Sequence, residues 1–199
     1  MIIKPEIYAN KIYYYKNVID SPDQLIAQIE ESDSQLTDAD PISTWNEWVT
    51  SGDGDSYVFG NIKHTDETKL GTGSDACIFI HKTLKTALAN VGKDYAEQQK
   101  IEYIDPMPIS ISKYRTGANM GPHVDDYGQE GVFPLMSAVI YLNDDYEGGE
   151  LRFPEQDVAI KPEAGSIIVF PSVEPFYHQS MPLKTGTKYM VPAFWIKHL

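Results

Sequence analysis

A histidine and an aspartate separated by one residue follow a glycine-rich segment near the middle of the sequence. His123 and Asp125 come directly after residues 116–122, which read Thr-Gly-Ala-Asn-Met-Gly-Pro. In an extended chain, residues i and i+2 project to the same face, so this imidazole and this carboxylate would converge on one point. Asp126 would face the other way. The pattern therefore predicts that His123 and Asp125 are two ligands of one metal ion.

A third ligand is required, because His-x-Asp alone is a weak signal. The chain contains a second copy at residues 64–66, in a polar stretch without strand character. Of the remaining histidines, His81 lies in a predicted helix and His198 stands beside the last residue. His178 lies in a predicted strand late in the chain. We therefore take His178 as the third ligand.

Two histidines and one carboxylate on a rigid β core are typical of the facial triad of non-haem Fe(II) oxygenases, which leaves coordination positions open. Zinc is the competing metal, because catalytic zinc sites can use the same three ligand types. Zinc sites of that kind usually lie in a His-Glu-x-x-His helix, which this sequence lacks. The donor set therefore favours iron.

The first half of the chain is predicted to form one strand and two helices. Residues 13–19 are aromatic and β-branched, which favours a strand. A helix over about 22–32 starts at a proline that follows a serine. A longer helix is predicted over roughly 75–98, because apolar residues recur in this range at steps of three and four. Gly92 is the residue in it that favours a helix least. These apolar residues are Cys77, Ile80, Leu84, Leu88, Val91 and Tyr95.

The second half has the sequence pattern of a β structure, with short apolar runs broken by Gly, Pro and Asp. Such a series of strands predicts a sandwich or barrel, with the helices of the first half covering one sheet from outside. The fold class is therefore α+β, as a single domain over 1–199 in which 1–106 supports a metal-binding β core over 107–199. The predicted strands are Ile109–Arg115, Pro134–Asn143, Leu151–Phe153, Val158–Lys161, Ser166–Phe170, Tyr177–Met181 and Lys188–Ile196.

Composition limits the classes of partner and location. The net charge of −13 has the wrong sign for a protein that neutralises nucleic-acid phosphates, so no nucleic-acid partner is expected. The single cysteine cannot form an intrachain disulfide, and no secretory leader or membrane-spanning run is recognisable. We expect a soluble, cytoplasmic protein without a membrane partner, and the sequence leaves its oligomeric state open.

The second half resembles the 2-oxoglutarate- and Fe(II)-dependent dioxygenases, and within them the prolyl 4-hydroxylase-like branch. Four blocks occur in the order typical of that family. They are Tyr114 to Asp125, Ala138 to Asn143 with Gly148 to Phe153, Pro162 to Phe170, and His178 to Tyr189. Several motifs in the right order are far more specific than any one of them.

The resemblance implies a double-stranded β-helix, or jelly roll, with N-terminal supporting helices. It implies Fe(II) held by His123, Asp125 and His178, with 2-oxoglutarate and dioxygen as cosubstrates and ascorbate as a further candidate cofactor. It also implies that Lys188, ten residues after the distal histidine, pairs with the far carboxylate of 2-oxoglutarate.

Further residues are assigned from the resemblance alone. Tyr114 and Tyr141 match tyrosines whose hydroxyls commonly contact the cosubstrate, and Leu151 is expected to line the pocket. Trp195 matches a tryptophan of the last strand, where packing alone would explain it.

Two features depart from the family pattern. Met120 stands where many peptidyl-proline hydroxylases have tyrosine. The interval from Lys188 to Trp195 is one residue longer than usual and contains Pro192. Proline cannot donate a ladder hydrogen bond, so Pro192 predicts a bulge or an edge position.

The resemblance makes a proline-containing peptide or protein the first expectation for the substrate. A segment over about 44–73, with Trp45, Trp48 and Tyr57, is the candidate lid over a peptide groove. The second hypothesis is hydroxylation of a free amino acid or other small molecule, which would favour a closed pocket. The third is a non-catalytic binding domain of the same fold, against which the intact triad and Lys188 count.

Overall fold

The computed structural model describes residues 4–34, 45–47, 62–65, 75–107, 109–126 and 128–198. The helices are α1 (Pro22–Ser34) and α2 (Asp75–Gln99). The strands are β1 (Glu6–Tyr8), β2 (Ile12–Tyr15), β3 (Trp45–Glu47), β4 (Ile62–Thr65), β5 (Ser112–Arg115), β6 (Met120–His123), β7 (Val132–Tyr141), β8 (Glu147–Gly148), β9 (Leu151–Phe153), β10 (Val158–Ile160), β11 (Ser166–Phe170), β12 (His178–Ser180), β13 (Leu183–Thr185) and β14 (Thr187–His198).

Three antiparallel sheets form the β core. The large sheet has the order β1-β2-β11-β7-β14-β5-β4-β3. A smaller sheet has the order β10-β9-β12-β6, and β13 pairs with β8. Consecutive strands therefore cross between the large and small sheets, as β5 and β6 do. This crossing is the arrangement of the jelly roll that the sequence predicts.

The large sheet is apolar on both faces, and its residues alternate between two clusters. In β11, Ile167 and Val169 pack in a cluster that includes α1 and α2, whereas Ile168 and Phe170 pack with the small sheet. Strands β2 and β7 alternate in the same way. The molecule thus has helices on one face of the large sheet and the small sheet on the other, and the second interface contains the candidate site.

The apolar face predicted for the long helix is buried, from Ile80 to Tyr95. Gly92 lies on this face because the Trp195 side chain occupies the adjoining space. A Cβ atom at position 92 would be 2.8 Å from Cζ2 of Trp195, which is closer than carbon atoms can pack. Trp195 therefore packs the last strand against α2.

Several boundaries differ from the predictions for local reasons. The first predicted strand ends at Tyr15, because Asn17 adopts a left-handed backbone with φ of 53°. Residues 64–66 were expected to lack strand character, but His64 lies in β4 and pairs with Ser112 of β5. Strand β4 forms because the open edge of β5 supplies its hydrogen bonds, which no local pattern reveals.

The glycine-rich segment before His123 is also more regular than expected. Its end belongs to strand β6, which the sequence analysis did not identify.

Pro192 lies opposite Val139 of β7, beyond Met190, where the pairing of β14 with β5 ends. Within the described ranges Pro192 therefore occupies the edge-like position that its missing N–H predicts.

Neither helix in the described part of the chain has the length and apolar character needed to cross a bilayer.

Candidate metal centre and its cavity

Two neighbouring strands of the small sheet bring the two predicted histidines together. His123 ends β6, His178 begins β12, and the two residues are direct partners in the antiparallel register. Residues directly opposite in such a pair have Cβ atoms about 4.5–5.5 Å apart. The imidazole centroids are 4.3 Å apart. His178, the third predicted ligand, therefore lies within reach of a metal ion shared with His123.

Asp125 completes the group from the segment that follows β6. Its backbone N–H donates a 2.8 Å hydrogen bond to the Ser172 carbonyl, which positions this segment. The Asp125 carboxylate lies 3.6 Å from Nε2 of His123 and 3.5 Å from Nε2 of His178. The ligand atoms of all three residues lie within 4.8 Å of one another. One metal ion could bind all three.

Backbone carbonyls orient both imidazoles. Nδ1 of His123 lies 2.8 Å from the Gly121 carbonyl, and Nδ1 of His178 lies 3.3 Å from the Phe176 carbonyl. A proton on each Nδ1 would satisfy these carbonyls and leave the Nε2 lone pairs directed toward Asp125. Metal-bound histidines typically donate their other ring nitrogen in this way.

Burial favours the neutral form of the distal histidine. Burial lowers the pKa of His178 to about 4, against the opposing attraction of the Asp125 carboxylate. The Phe170 ring packs against the imidazole at a centroid distance of 4.6 Å. His178 is therefore neutral at physiological pH, which is the form that binds metals.

The three residues line a cavity of about 480 Å³ between the large and small sheets. Tyr114, Tyr141 and Leu151, assigned from the resemblance, line the same cavity, as does Met120. The other lining residues are Ser110, Ser112, Ala138, Val139, Phe170, Ser180, Met190, Pro192 and Phe194. The walls are thus mainly apolar, with hydroxyl groups at a few points.

Lys188 is fully buried and contacts the cavity wall. Its Nζ donates hydrogen bonds to the Gly149 carbonyl at 3.1 Å and to Oγ of Ser180 at 2.5 Å. The ammonium group also lies 4.7 Å from the centroid of the Tyr114 ring. Burial lowers the pKa of Lys188 to about 7, with Glu150 opposing the shift. No carboxylate oxygen lies within ion-pair distance of Lys188 among the described residues.

These features fit a carboxylate ligand. The Tyr114 hydroxyl is buried and has no hydrogen-bond partner in the described ranges. A carboxylate near Tyr114 and Lys188 would supply an acceptor for the hydroxyl and a counter-charge for the ammonium group. An unpaired buried charge costs several kcal/mol, so such a ligand would be favoured electrostatically.

Some predicted residues lie apart from the cavity or outside the described ranges. Trp195 is buried in the cluster on the helical side of the large sheet. Asp126 is exposed, and its carboxylate accepts a hydrogen bond from the Gly128 N–H at 3.0 Å. Trp45 belongs to strand β3 at the edge of the large sheet, whereas Trp48 and Tyr57 of the candidate lid lie outside the described residues.

Ser112 and Ser180 also line the cavity but were not among the predicted site residues. The strand period of two could have found both, since Ser180 is two residues from His178 and Ser112 is two residues from Tyr114. The same period starting from Lys188 identifies the cavity-lining residues of β14. These are Met190, Pro192 and Phe194.

Comparison with known sequences finds similarity to one family over the β core. Residues 109–197 match the family model of the 2OG-Fe(II) oxygenase superfamily. A PKHD-type hydroxylase of Maricaulis maris is 34% identical over 95 residues, covering 46% of this chain and 42% of the relative. A probable prolyl 4-hydroxylase of Arabidopsis thaliana is 26% identical over 162 residues, covering 67% of this chain and 56% of the relative. The chain thus spans about half the length of these relatives.

Comparison with solved structures extends the similarity of fold to nearly the whole chain. A viral collagen prolyl hydroxylase from Paramecium bursaria Chlorella virus-1 superposes with a TM-score of 0.63 at 18% identity, covering 96% of this chain and 98% of that one. A prolyl hydroxylase from Trichoplax adhaerens, in complex with a peptide fragment of hypoxia inducible factor, gives 0.69 at 14% identity, covering 95% and 84%. The predicted α+β jelly roll is confirmed.

Replacing Asp125 by Ala should weaken metal binding by about a hundredfold or more, because even loss of a partner that only orients a ligand costs 10–100-fold. The measurement is calorimetric titration with Mn²⁺, which suits carboxylate ligands and can be handled in air. Asp126→Ala is the matched control, since it removes the neighbouring exposed carboxylate and should leave the affinity unchanged. Equal losses in both variants, with circular dichroism showing folded protein, would contradict the assignment.

Proposed function

We propose, from the match of residues 109–197 to the family model of the 2OG-Fe(II) oxygenase superfamily, that this protein is an Fe(II)- and 2-oxoglutarate-dependent dioxygenase. It hydroxylates an unactivated C–H bond, and peptidyl proline is the favoured target. The observation that carries the proposal is the single cavity that joins the His123, Asp125 and His178 cluster to side chains in contact with the buried Lys188.

When bound, Fe(II), 2-oxoglutarate and dioxygen supply the oxidising chemistry, in which the cosubstrate is decarboxylated to succinate. The protein supplies binding, orientation and a suitable environment. His123, Asp125 and His178 would hold the metal ion at the wall of the cavity that they line.

Lys188 and Tyr114 orient the cosubstrate. The Lys188 ammonium group would pair with a carboxylate of the cosubstrate, and the Tyr114 hydroxyl, which lacks a partner in the described ranges, would donate a hydrogen bond to it. Binding of a carboxylate favours the charged form of Lys188 and so reverses the effect of burial on its pKa. A buried cation that lacks a carboxylate partner in the described protein thus selects a dicarboxylate over a monocarboxylate.

The mainly apolar lining would limit water at the reacting centre once a ligand fills the cavity. Val139, Phe170 and Met190 line the cavity from the large sheet, and Leu151 and Met120 line it from the small sheet. A site without bulk water strengthens the electrostatic contacts to the ligand and limits side reactions. Tyr141 lies within the same wall, where burial raises the pKa of its hydroxyl and keeps it protonated as a hydrogen-bond donor.

The proline preference rests on the relatives and on charge. One sequence relative is a probable prolyl 4-hydroxylase, and one similar structure holds a peptide. The net charge of −13 favours neutral or basic peptides over acidic ones. A small-molecule substrate is the second candidate, because a cavity of about 480 Å³ lies within the range typical of small-molecule sites.

Replacing Lys188 by Ala should raise the dissociation constant of 2-oxoglutarate by about a hundredfold or more, because loss of one partner of a buried ion pair costs about 3–5 kcal/mol. Lys188→Met keeps most of the side-chain volume and should show the same loss. Lys184→Ala, at an exposed position four residues earlier, is the control. Titration calorimetry of the Mn²⁺-loaded proteins measures the effect. Wild-type affinity in both Lys188 variants would show that another group binds the remote carboxylate.

The function is tested by incubating the protein with Fe(II), 2-oxoglutarate, ascorbate and either proline-containing peptides or free amino acids. We expect succinate release that depends on the peptide, together with a mass gain of one oxygen on proline. Asp125→Ala serves as the inactive control. Unmodified peptides combined with succinate release driven by a free amino acid would replace the proline proposal with the small-molecule one. No stimulated turnover with any substrate would contradict both.

A further inference from the structure

Ser112 is a fully buried serine on the wall of the cavity. It begins strand β5, its exposed fraction is 0%, and it lies two residues from Tyr114. Its hydroxyl has no hydrogen-bond partner among the described residues. A buried hydroxyl without a partner is costly, and native proteins seldom retain one without a reason.

The other buried serines of the described ranges all have partners. Ser137 and Ser172 bind each other at 2.8 Å, and Ser166 donates to the Glu163 carbonyl at 2.6 Å. Ser180 accepts from Lys188. Ser112 is thus the exception in this group, and it is also the one that opens onto the cavity without a protein partner.

The strand register places Ser112 between Lys188 and the histidines. Strand β14 pairs with β5 so that Lys188 lies opposite Tyr114, and Met190 lies opposite Ser112. Further along, Phe194 of β14 pairs with Ser137 of β7, and Ser137 pairs with Phe170 of β11. The Phe170 ring packs on His178.

The small sheet runs over the same interval. Ser180, which contacts Lys188, and His178 are two residues apart on β12. Lys188 contacts both Ser180 and Tyr114. The step from Ser180 to His178 on β12 therefore runs in the same direction as the step from Tyr114 to Ser112 on β5. A ligand that extended from Lys188 toward the candidate metal ligands would therefore run along the part of the cavity wall that contains Ser112.

We propose that Ser112 is a cosubstrate-binding residue whose hydroxyl donates a hydrogen bond to an oxygen atom of the dicarboxylate held by Lys188. This inference rests on the proposed function, because it takes 2-oxoglutarate as the molecule in the cavity. The unpaired hydroxyl destabilises the ligand-free protein, and a hydrogen bond to the ligand would remove this destabilisation.

The proposal predicts opposite effects of one substitution on stability and on binding. Ser112→Ala removes an unpaired buried hydroxyl, so the ligand-free protein should unfold at a temperature about 2–4 °C higher. The same change removes a hydrogen bond to a ligand that carries charge, so 2-oxoglutarate should bind about tenfold or more weakly. A serine with a purely structural role would lower the unfolding temperature and leave binding unchanged.

Ser166→Ala is the matched control. Ser166 is also fully buried in the large sheet, but its hydroxyl donates to a protein carbonyl and it does not line the cavity. This variant should lower the unfolding temperature and bind 2-oxoglutarate as the wild type does. Tyr114→Phe, which removes the unpaired hydroxyl of a second cavity-lining residue, should resemble Ser112→Ala in both measurements.

The experiment measures thermal unfolding of the ligand-free proteins, and 2-oxoglutarate and Mn²⁺ affinities by calorimetry. Reduced 2-oxoglutarate affinity in Ser112→Ala, with unchanged Mn²⁺ affinity and undiminished stability, supports the proposal. Wild-type affinity in Ser112→Ala, or a loss of stability like that of Ser166→Ala, overturns it. If the wild type itself does not bind 2-oxoglutarate, the proposed function fails first, and this result is distinguishable from the other two.

Discussion

The antiparallel pairing of His123 with His178 is the constraint on which the rest of the site depends. Because the two residues are direct partners across β6 and β12, both imidazoles project from one face of the small sheet. A shift of either strand by one residue would turn one imidazole to the opposite face and separate the candidate metal ligands. The hydrogen bond from the Asp125 backbone to Ser172 extends the same alignment to the carboxylate.

The same two-residue period builds the other end of the cavity. His178 and Ser180 share one face of β12, and Ser180 contacts Lys188 of β14. Strands β12 and β14, which belong to different sheets, therefore place a candidate metal ligand and a buried lysine along the same cavity. Lys188 is buried without a carboxylate partner in the described protein, and an unpaired buried charge destabilises the ligand-free protein. A bound carboxylate would remove this destabilisation. The apolar core around α2 and Trp195 keeps the large sheet in place behind this cavity.

Much of this arrangement could be predicted from the sequence where local periodicity is strong. The long helix follows from its apolar steps, and β9 and β11 coincide with the predicted strands. His123 and Asp125 could be paired from their spacing alone. Strands β3 and β4 could not, because β4 forms on the edge of β5 and β3 forms on the edge of β4, so neither depends on a local pattern of its own. The strand period could have placed Ser112 on the same face as Tyr114, but the lack of a hydrogen-bond partner for its hydroxyl among the described residues is visible only in three dimensions.

The most direct test of the central claim is a crystal structure of the protein with Mn²⁺ and 2-oxoglutarate, with the metal located by its anomalous scattering. The account predicts one metal ion within about 2.0–2.3 Å of His123, Asp125 and His178, comparable to known metal–ligand distances. It also predicts the remote carboxylate of 2-oxoglutarate beside Lys188. A metal peak away from these three residues, or 2-oxoglutarate bound outside the cavity between the two sheets, would contradict the account.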